Sequence, residues 1–162
     1  MPRAFRVSRP LRRARNGAGF TLVELILVIV LLGILSTIAI GRFTKVRQKA
    51  QSSRAIAEIR TLMTEIDLFD TVNGHLPVTL GDIGRAGLSD PWGNPYRYLP
   101  FTGGTVPGGA RKDKNLVPIN TRYDLFSMGI DGKSVPALTA KASQDDIIRA
   151  NDGTFIGLAA DY

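Results

Sequence analysis

FTLVELILVIVLLGILSTIAI, Phe20 to Ile40, is a run of 21 residues with one charge, Glu24. As an α-helix it spans roughly 30 Å at about 1.5 Å per residue, the thickness of a bilayer's hydrocarbon core. Lipid offers backbone N–H and C=O groups no partners, so a segment that enters it must be helical. The charge on the N-terminal side is one-signed. Met1–Gly19 holds six arginines (Arg3, Arg6, Arg9, Arg12, Arg13, Arg15) and no acid. Under the positive-inside rule this flank stays in the cytoplasm and the C-terminal bulk lies across the membrane.

With the arm set aside, 15 of the 21 basic residues remain against 14 acids. The body is nearly neutral, so the net charge of +7 is a property of the arm and no nucleic acid partner is expected. A length of 162 residues suits one modest domain, or a small domain with an appendage, and excludes a multi-domain enzyme. The absence of cysteine removes disulfides, thiolate zinc sites and a cysteine nucleophile. The one histidine, His75, sits beside Pro77 and reads as a surface turn residue. Gly103-Gly104 and Gly108-Gly109 flank Pro107 in a plain loop, not a phosphate cradle after a strand. Arg111-Lys112-Asp113-Lys114 reads as a solvated charge run, or a set of contacts to another subunit. No catalytic residue is expected.

Beyond Arg42 the pattern becomes amphipathic. Val46, Ala50, Ile59, Leu62, Ile66 and Phe69 recur at threes and fours, with Lys49, Arg54, Glu58 and Arg60 between them. No proline falls between Phe20 and Leu76, and Asn73-Gly74 is a stop signal. These features predict one helix over 20–73, with a transmembrane segment at 20–40 and a second half that needs a partner. Residues 74–162 supply it. Nine glycines and six prolines between Gly74 and Pro118 deny long helices there. A short helix is expected near Thr79-Leu80-Gly81-Asp82, and strands at Tyr96–Leu99, Tyr123–Phe126 and Thr154–Leu158. A domain this small should bury its sheet against the helix's apolar stripe. The predicted fold class is α+β, a long N-terminal helix packed on a small antiparallel sheet.

Several readings fit the arm and the apolar run. A cleavable secretory signal would find a small-x-small site at Ala39-Ile40-Gly41, but its apolar region is only about 7–15 residues long. A plain signal anchor would let Glu24 snorkel to the interface. A DNA-binding tail on a soluble domain would strand the whole apolar run in water. The fourth reading is specific. Gly19-Phe20-Thr21-Leu22-Val23-Glu24, after a basic leader and before an apolar helix, resembles the processing signature of type IV pilins and their relatives.

The resemblance implies that a prepilin peptidase cuts between Gly19 and Phe20 and methylates the new amine of Phe20. Residues 1–19 would then be a cleaved leader, and 74–162 a periplasmic globular domain. Glycine at the cut keeps the backbone accessible, having no Cβ. Glu24 lies one helical turn from the new amine. Ionised inside an apolar layer it costs on the order of 2–3 kcal/mol and should seek a cation. By resemblance, that cation is the amino terminus of a neighbouring subunit. Leu22–Ile40 would pack with other such helices as a filament core. Many relatives have a proline after the apolar run. Here Gly41 stands near that place and, with Gly33, is either a flexible point or a small packing contact.

Asp90-Pro91-Trp92-Gly93-Asn94-Pro95-Tyr96, Leu125–Gly132 (LFSMGIDG) and Asp145-Asp146-Ile147 resemble the major pseudopilins of type II secretion systems. Asp90-Pro91 and Asn94-Pro95 make back-to-back turns that set Trp92 as a lid on the core. The resemblance implies a Ca²⁺ site with carboxylates from Asp131, Asp145 and Asp146 and carbonyls near Leu125–Met128, suited to calcium's demand for about six to eight oxygens. Such an ion would cross-link a domain that has no disulfide. Two features stand beside it. Lys133–Gln144, with Lys133 and Lys141 inside, is longer than the family pattern, and Ser143-Gln144-Asp145-Asp146 reads equally well as a capped helix N-terminus. Asn151-Asp152-Gly153 reads as a turn.

The function implied is a structural subunit of the type II secretion pseudopilus, anchored singly in the inner membrane before assembly. Its partners would be copies of itself and minor pseudopilins, the prepilin peptidase, the inner-membrane assembly platform and the secretion ATPase complex. A pilin of a type IV or DNA-uptake pilus is the nearest alternative, and a monomeric membrane-anchored periplasmic binding module the alternative of another class.

Overall fold

The computed structural model describes residues 19–103 and 105–162; the arginine arm lies outside the described residues. The chain divides into two compact units, Met1–Arg42 and Phe43–Tyr162. Helix α1 runs Leu22–Asn73. Its first half is long and apolar enough to cross a membrane, and the window that qualifies buries nothing inside the chain. The helix starts two residues later than the apolar run suggests, because Thr21 caps it. Its end is where the sequence puts it: Gly74 takes φ +74° and its N–H bonds the Asp70 carbonyl at 2.8 Å.

In the second unit α1 lies against a four-stranded antiparallel meander in the order β1-β2-β3-β4: Arg97–Pro100, Tyr123–Ser127, Ile147–Ala150 and Phe155–Leu158. Ala55, Ile59, Leu62 and Ile66 form the buried stripe of the helix, meeting Tyr96, Tyr123, Leu125 and Ile147. Val46 and Ala50 belong to the same periodicity but are exposed, so the buried stripe begins only at Ala55. Phe69 is half-buried, with His75 edge-on to its ring at 5.7 Å. Trp92 packs against the core as a partly buried lid. Leu80–Ile83 forms the short helix as one 3₁₀ turn, and the Asp82 carboxylate accepts the Val78 and Thr79 N–H groups at 2.9 and 2.8 Å.

A second cluster, Ile119, Leu138, Ile148, Ala150 and Ala159, fills the other face of the sheet. Strand β3 is therefore buried on both faces, Arg149 included, which hides its period of two. The expected helix start at Ser143–Asp146 is overturned. A 3₁₀ turn over Lys141–Ser143 ends just before the two acids, and the chain then enters β3.

Candidate functional site

Gly19 and Phe20 precede the helix, and Phe20 is 87% exposed. A Cβ added at Gly19 would meet nothing within 4 Å, so the chain's own packing does not require glycine there. The first turn is a reciprocal cap. Glu24 N–H donates to Thr21 Oγ1 at 3.1 Å, while the Glu24 carboxylate accepts the Thr21 N–H at 3.1 Å and the Thr21 hydroxyl at 3.0 Å. Each first-turn N–H of a helix lacks an intrahelical partner, and the capping box fills two of them. Sequence reasoning singled out Glu24 and passed over Thr21, although Thr-x-x-Glu before an apolar run is the signature of that box. Both side-chain bonds end on Oε2 of Glu24.

The two motifs of the globular unit interlock. Asp90 Oδ1 accepts the N–H groups of Trp92 and Asn94 at 3.0 and 2.8 Å, and Asp90 Oδ2 accepts the Ser127 hydroxyl at 2.5 Å. Ser127 Oγ in turn accepts Gly129 N–H at 3.1 Å, and Asn94 Nδ2 donates to the Gly129 carbonyl at 2.8 Å. The turn at 90–96 is thereby fixed to the end of β2, and Gln51 of the helix donates to the Pro91 carbonyl at 3.1 Å.

Beyond that junction lie the expected metal ligands. Asp131 N–H donates to Asp145 Oδ2 at 3.0 Å, so these two acids are neighbours. Asp131 is exposed and turns its own Oδ1 onto the Lys133 N–H at 2.7 Å. Asp146 is elsewhere in chemical terms. It is fully buried, and its Oδ2 accepts the Ser134 hydroxyl and an Arg111 guanidinium N–H, each at 2.5 Å. Burial pushes the Asp146 carboxyl up to about 6, against the opposing pull of Ser134 and Arg111. The Arg111 guanidinium on its Oδ2 is its counter-charge.

As a donor set for the implied Ca²⁺, Asp131, Asp145 and Asp146 do not fit together. Of the three, Asp146 is the fully buried one; its Oδ2 is matched by an internal cation, while its Oδ1 is buried without a hydrogen-bond partner. Among the described residues no group of three or more His, Cys, Asp or Glu side chains is placed to hold a metal ion.

Arg111 is the residue that the charge-run reading missed. It is 2% exposed, and its guanidinium lies over the Phe126 ring at 4.3 Å. Nη1 donates to Ser134 Oγ and to the Val135 carbonyl at 2.5 and 2.8 Å. Its backbone N–H is held by Asp124 Oδ2 at 2.6 Å. Nothing in Arg-Lys-Asp-Lys distinguishes the buried member from its solvated neighbours, since the signal is the distant Asp146.

The family model for the prokaryotic N-terminal methylation motif matches residues 14–40. The chain is similar to type II secretion system core protein G of Aeromonas hydrophila, at 30% identity covering 74% of this chain and 87% of that protein. The proteins of the same name from Vibrio cholerae and Pseudomonas aeruginosa are each 28% identical, covering 76% and 74% of this chain and 87% of each relative. No solved structure gives a significant match.

Proposed function

The chain belongs to the type II secretion system core protein G family, and on that footing we propose that it is a pseudopilin made as a precursor and assembled after its leader is cut off. The cut falls between Gly19 and Phe20, and methylation follows on the Phe20 amine. The apolar half of α1 anchors the precursor in the inner membrane, with the arginine arm cytoplasmic and the globular domain, 74–162, periplasmic. It acts as a structural subunit and not as an enzyme. After processing it joins copies of itself and minor pseudopilins in a filament that drives protein export across the outer membrane. Assembly calls on the prepilin peptidase, the inner-membrane platform and the secretion ATPase complex.

One observation carries this reading: the methylation motif over 14–40 coincides with a helix that opens at the Thr21–Glu24 cap, immediately after Gly19-Phe20. Cleavage there removes six positive charges and leaves a new ammonium next to that cap. Glu24 Oε2 is engaged by Thr21 of its own chain, so Oε1 is the oxygen we assign to the amine of a neighbouring subunit. That pairing would fix axial register, since apolar helices alone slide past one another at little cost.

The mass of the mature N-terminus tests the proposal. A chain starting at N-methylated Phe20 is expected. A chain that keeps its arginine leader, or that begins beyond Ile40, would refute it.

A further inference from the structure

We propose that the Arg111 guanidinium, and not a bound metal ion, is the cation that fastens the 133–144 segment to the sheet. That segment has no strand of its own. Its side-chain polar contacts to the sheet converge on one residue, beside a backbone bridge to Lys112 and the burial of Leu138. Arg111 reaches Ser134 and Val135 with Nη1, Asp146 with Nη2 and the face of Phe126 with its plane. One buried group thus joins the start of the segment, the residue before β3 and a side chain of β2.

The backbone around Arg111 is fixed from both sides. Its N–H goes to Asp124 of β2, and its carbonyl accepts Ile119 N–H at 3.1 Å. The next residue makes a parallel bridge, with Lys112 N–H on the Pro136 carbonyl and Leu138 N–H on the Lys112 carbonyl, both at 2.9 Å. Ser143 closes the far end, donating to the Val135 carbonyl at 2.8 Å and accepting Val135 N–H at 3.0 Å. The guanidinium is planar, always charged and presents donors in fixed directions, so it can bind a carboxylate, a hydroxyl and a carbonyl at once. A divalent ion at Asp146 would have to share the site with that buried positive charge. Repulsion at such a distance in a medium of low dielectric opposes it.

In a chain without cysteine, Arg111 is therefore a cross-link built from an ion pair. Breaking one member of such a pair is far more costly than the pair itself is stabilising, because it strands a buried charge. The fold of this domain should in consequence be indifferent to divalent cations and sensitive to Arg111.

The test uses the full mature chain in detergent micelles. Its melting is followed by circular dichroism in excess chelator and again in millimolar Ca²⁺. The wild type is expected to melt at one temperature in both, and to show no heat of Ca²⁺ binding in a calorimetric titration. Arg111→Met, which keeps an aliphatic stem on Phe126, is expected to melt about 10 °C lower or more. Adding Asp146→Asn to Arg111→Met should then restore part of that loss, since the stranded carboxylate is gone. A chelator-induced fall in the wild type that disappears in Asp131→Ala would overturn the proposal. So would two substitutions whose losses simply add, because uncoupled residues are not an ion pair. If Arg111→Met does not fold, the wild-type response to chelator decides alone.

Discussion

Gly129 and Gly84 share a backbone conformation and differ in what surrounds them, which makes them a matched pair. Their φ angles are +63° and +74°, both in the left-handed region. An L-residue there costs about 1–2 kcal/mol at either position. A Cβ at Gly84 meets nothing within 4 Å, so Gly84→Ala should cost that amount and no more. A Cβ at Gly129 would lie 2.2 Å from the Asp145 carbonyl oxygen and 2.6 Å from Asp145 Oδ2. The carbonyl cannot rotate away as a side chain would, and the carboxylate is held by Asp131 N–H. Forcing the two segments apart adds about 1–3 kcal/mol of overpacking. Gly129→Ala should therefore cost about 2–5 kcal/mol in all. At about 4 °C per kcal/mol the melting temperature falls by about 8–20 °C, against about 4–8 °C for Gly84→Ala. Thermal melts of the two full-length variants in the same detergent measure this. Values within about 2 °C of each other would refute the claim that Gly129 and Asp145 are in rigid backbone contact.

Two other outcomes are open to direct measurement. The Glu65 carboxyl is held below its ordinary value by the Arg85 guanidinium; burial pushes that of Asp152 up, but two Thr121 donors together with the charges of Arg149 and Arg122 bring it below its ordinary value. A carboxyl depressed in the folded state contributes stability above its unfolded value and loses it as pH falls through the folded one. The melting temperature should thus decline below about pH 4, and less steeply in Glu65→Gln; an unchanged slope in that variant would remove Glu65 from the account. At the N-terminus, Thr21→Val keeps the volume and removes the hydroxyl that both accepts Glu24 N–H and donates to its carboxylate. The loss of a cap, about 1 kcal/mol, should speed exchange of the Glu24 amide about fivefold in micelles, and unaltered exchange would mean the box is not formed there.

Local signals made the outline legible. Asn73-Gly74 ends the helix where the backbone must turn left-handed, and the strands near Tyr96, Tyr123 and Phe155 lie between turn clusters. What stayed hidden depends on partners far along the chain. Strand β3 is buried on both faces, so Ile147-Ile148-Arg149-Ala150 shows no alternation. Its arginine passes for a surface residue, although it is 3% exposed and lies over the Tyr123 ring at 4.0 Å. Val46 and Ala50 obey the helical period, yet nothing in the period says where the sheet begins to cover the helix. Asp145 and Asp146 are adjacent letters with opposite environments, one half-buried beside Asp131 and the other sealed against Arg111. A pair of acids in a motif could not disclose that separation, because it is set by a basic residue 35 positions earlier.

If the apolar half of α1 enters the membrane as proposed, Glu24 poses the problem that Asp146 poses in the core, a carboxylate withdrawn from water, and this chain answers it in two ways. Asp146 has a full positive charge from its own chain within 2.5 Å. Glu24 has only the N–H and hydroxyl of Thr21, which are dipoles, and among the described residues no ion pair of this chain reaches it. In hydrocarbon that leaves on the order of 2–3 kcal/mol uncompensated. The difference assigns the two residues to different equilibria. Replacing Asp146 should disturb the folding of a single subunit, since its counter-charge is then stranded inside that subunit. Replacing Glu24 should leave the melting of the globular unit where it is, because the counter-charge proposed for it belongs to a neighbouring copy, and should act only when a second copy is present. Cross-linking in membranes, wild type against Glu24→Ala, reads this out: ladders shorten while the melting temperature holds. Ladders that persist unchanged in Glu24→Ala would mean that this carboxylate does not set the contact between copies.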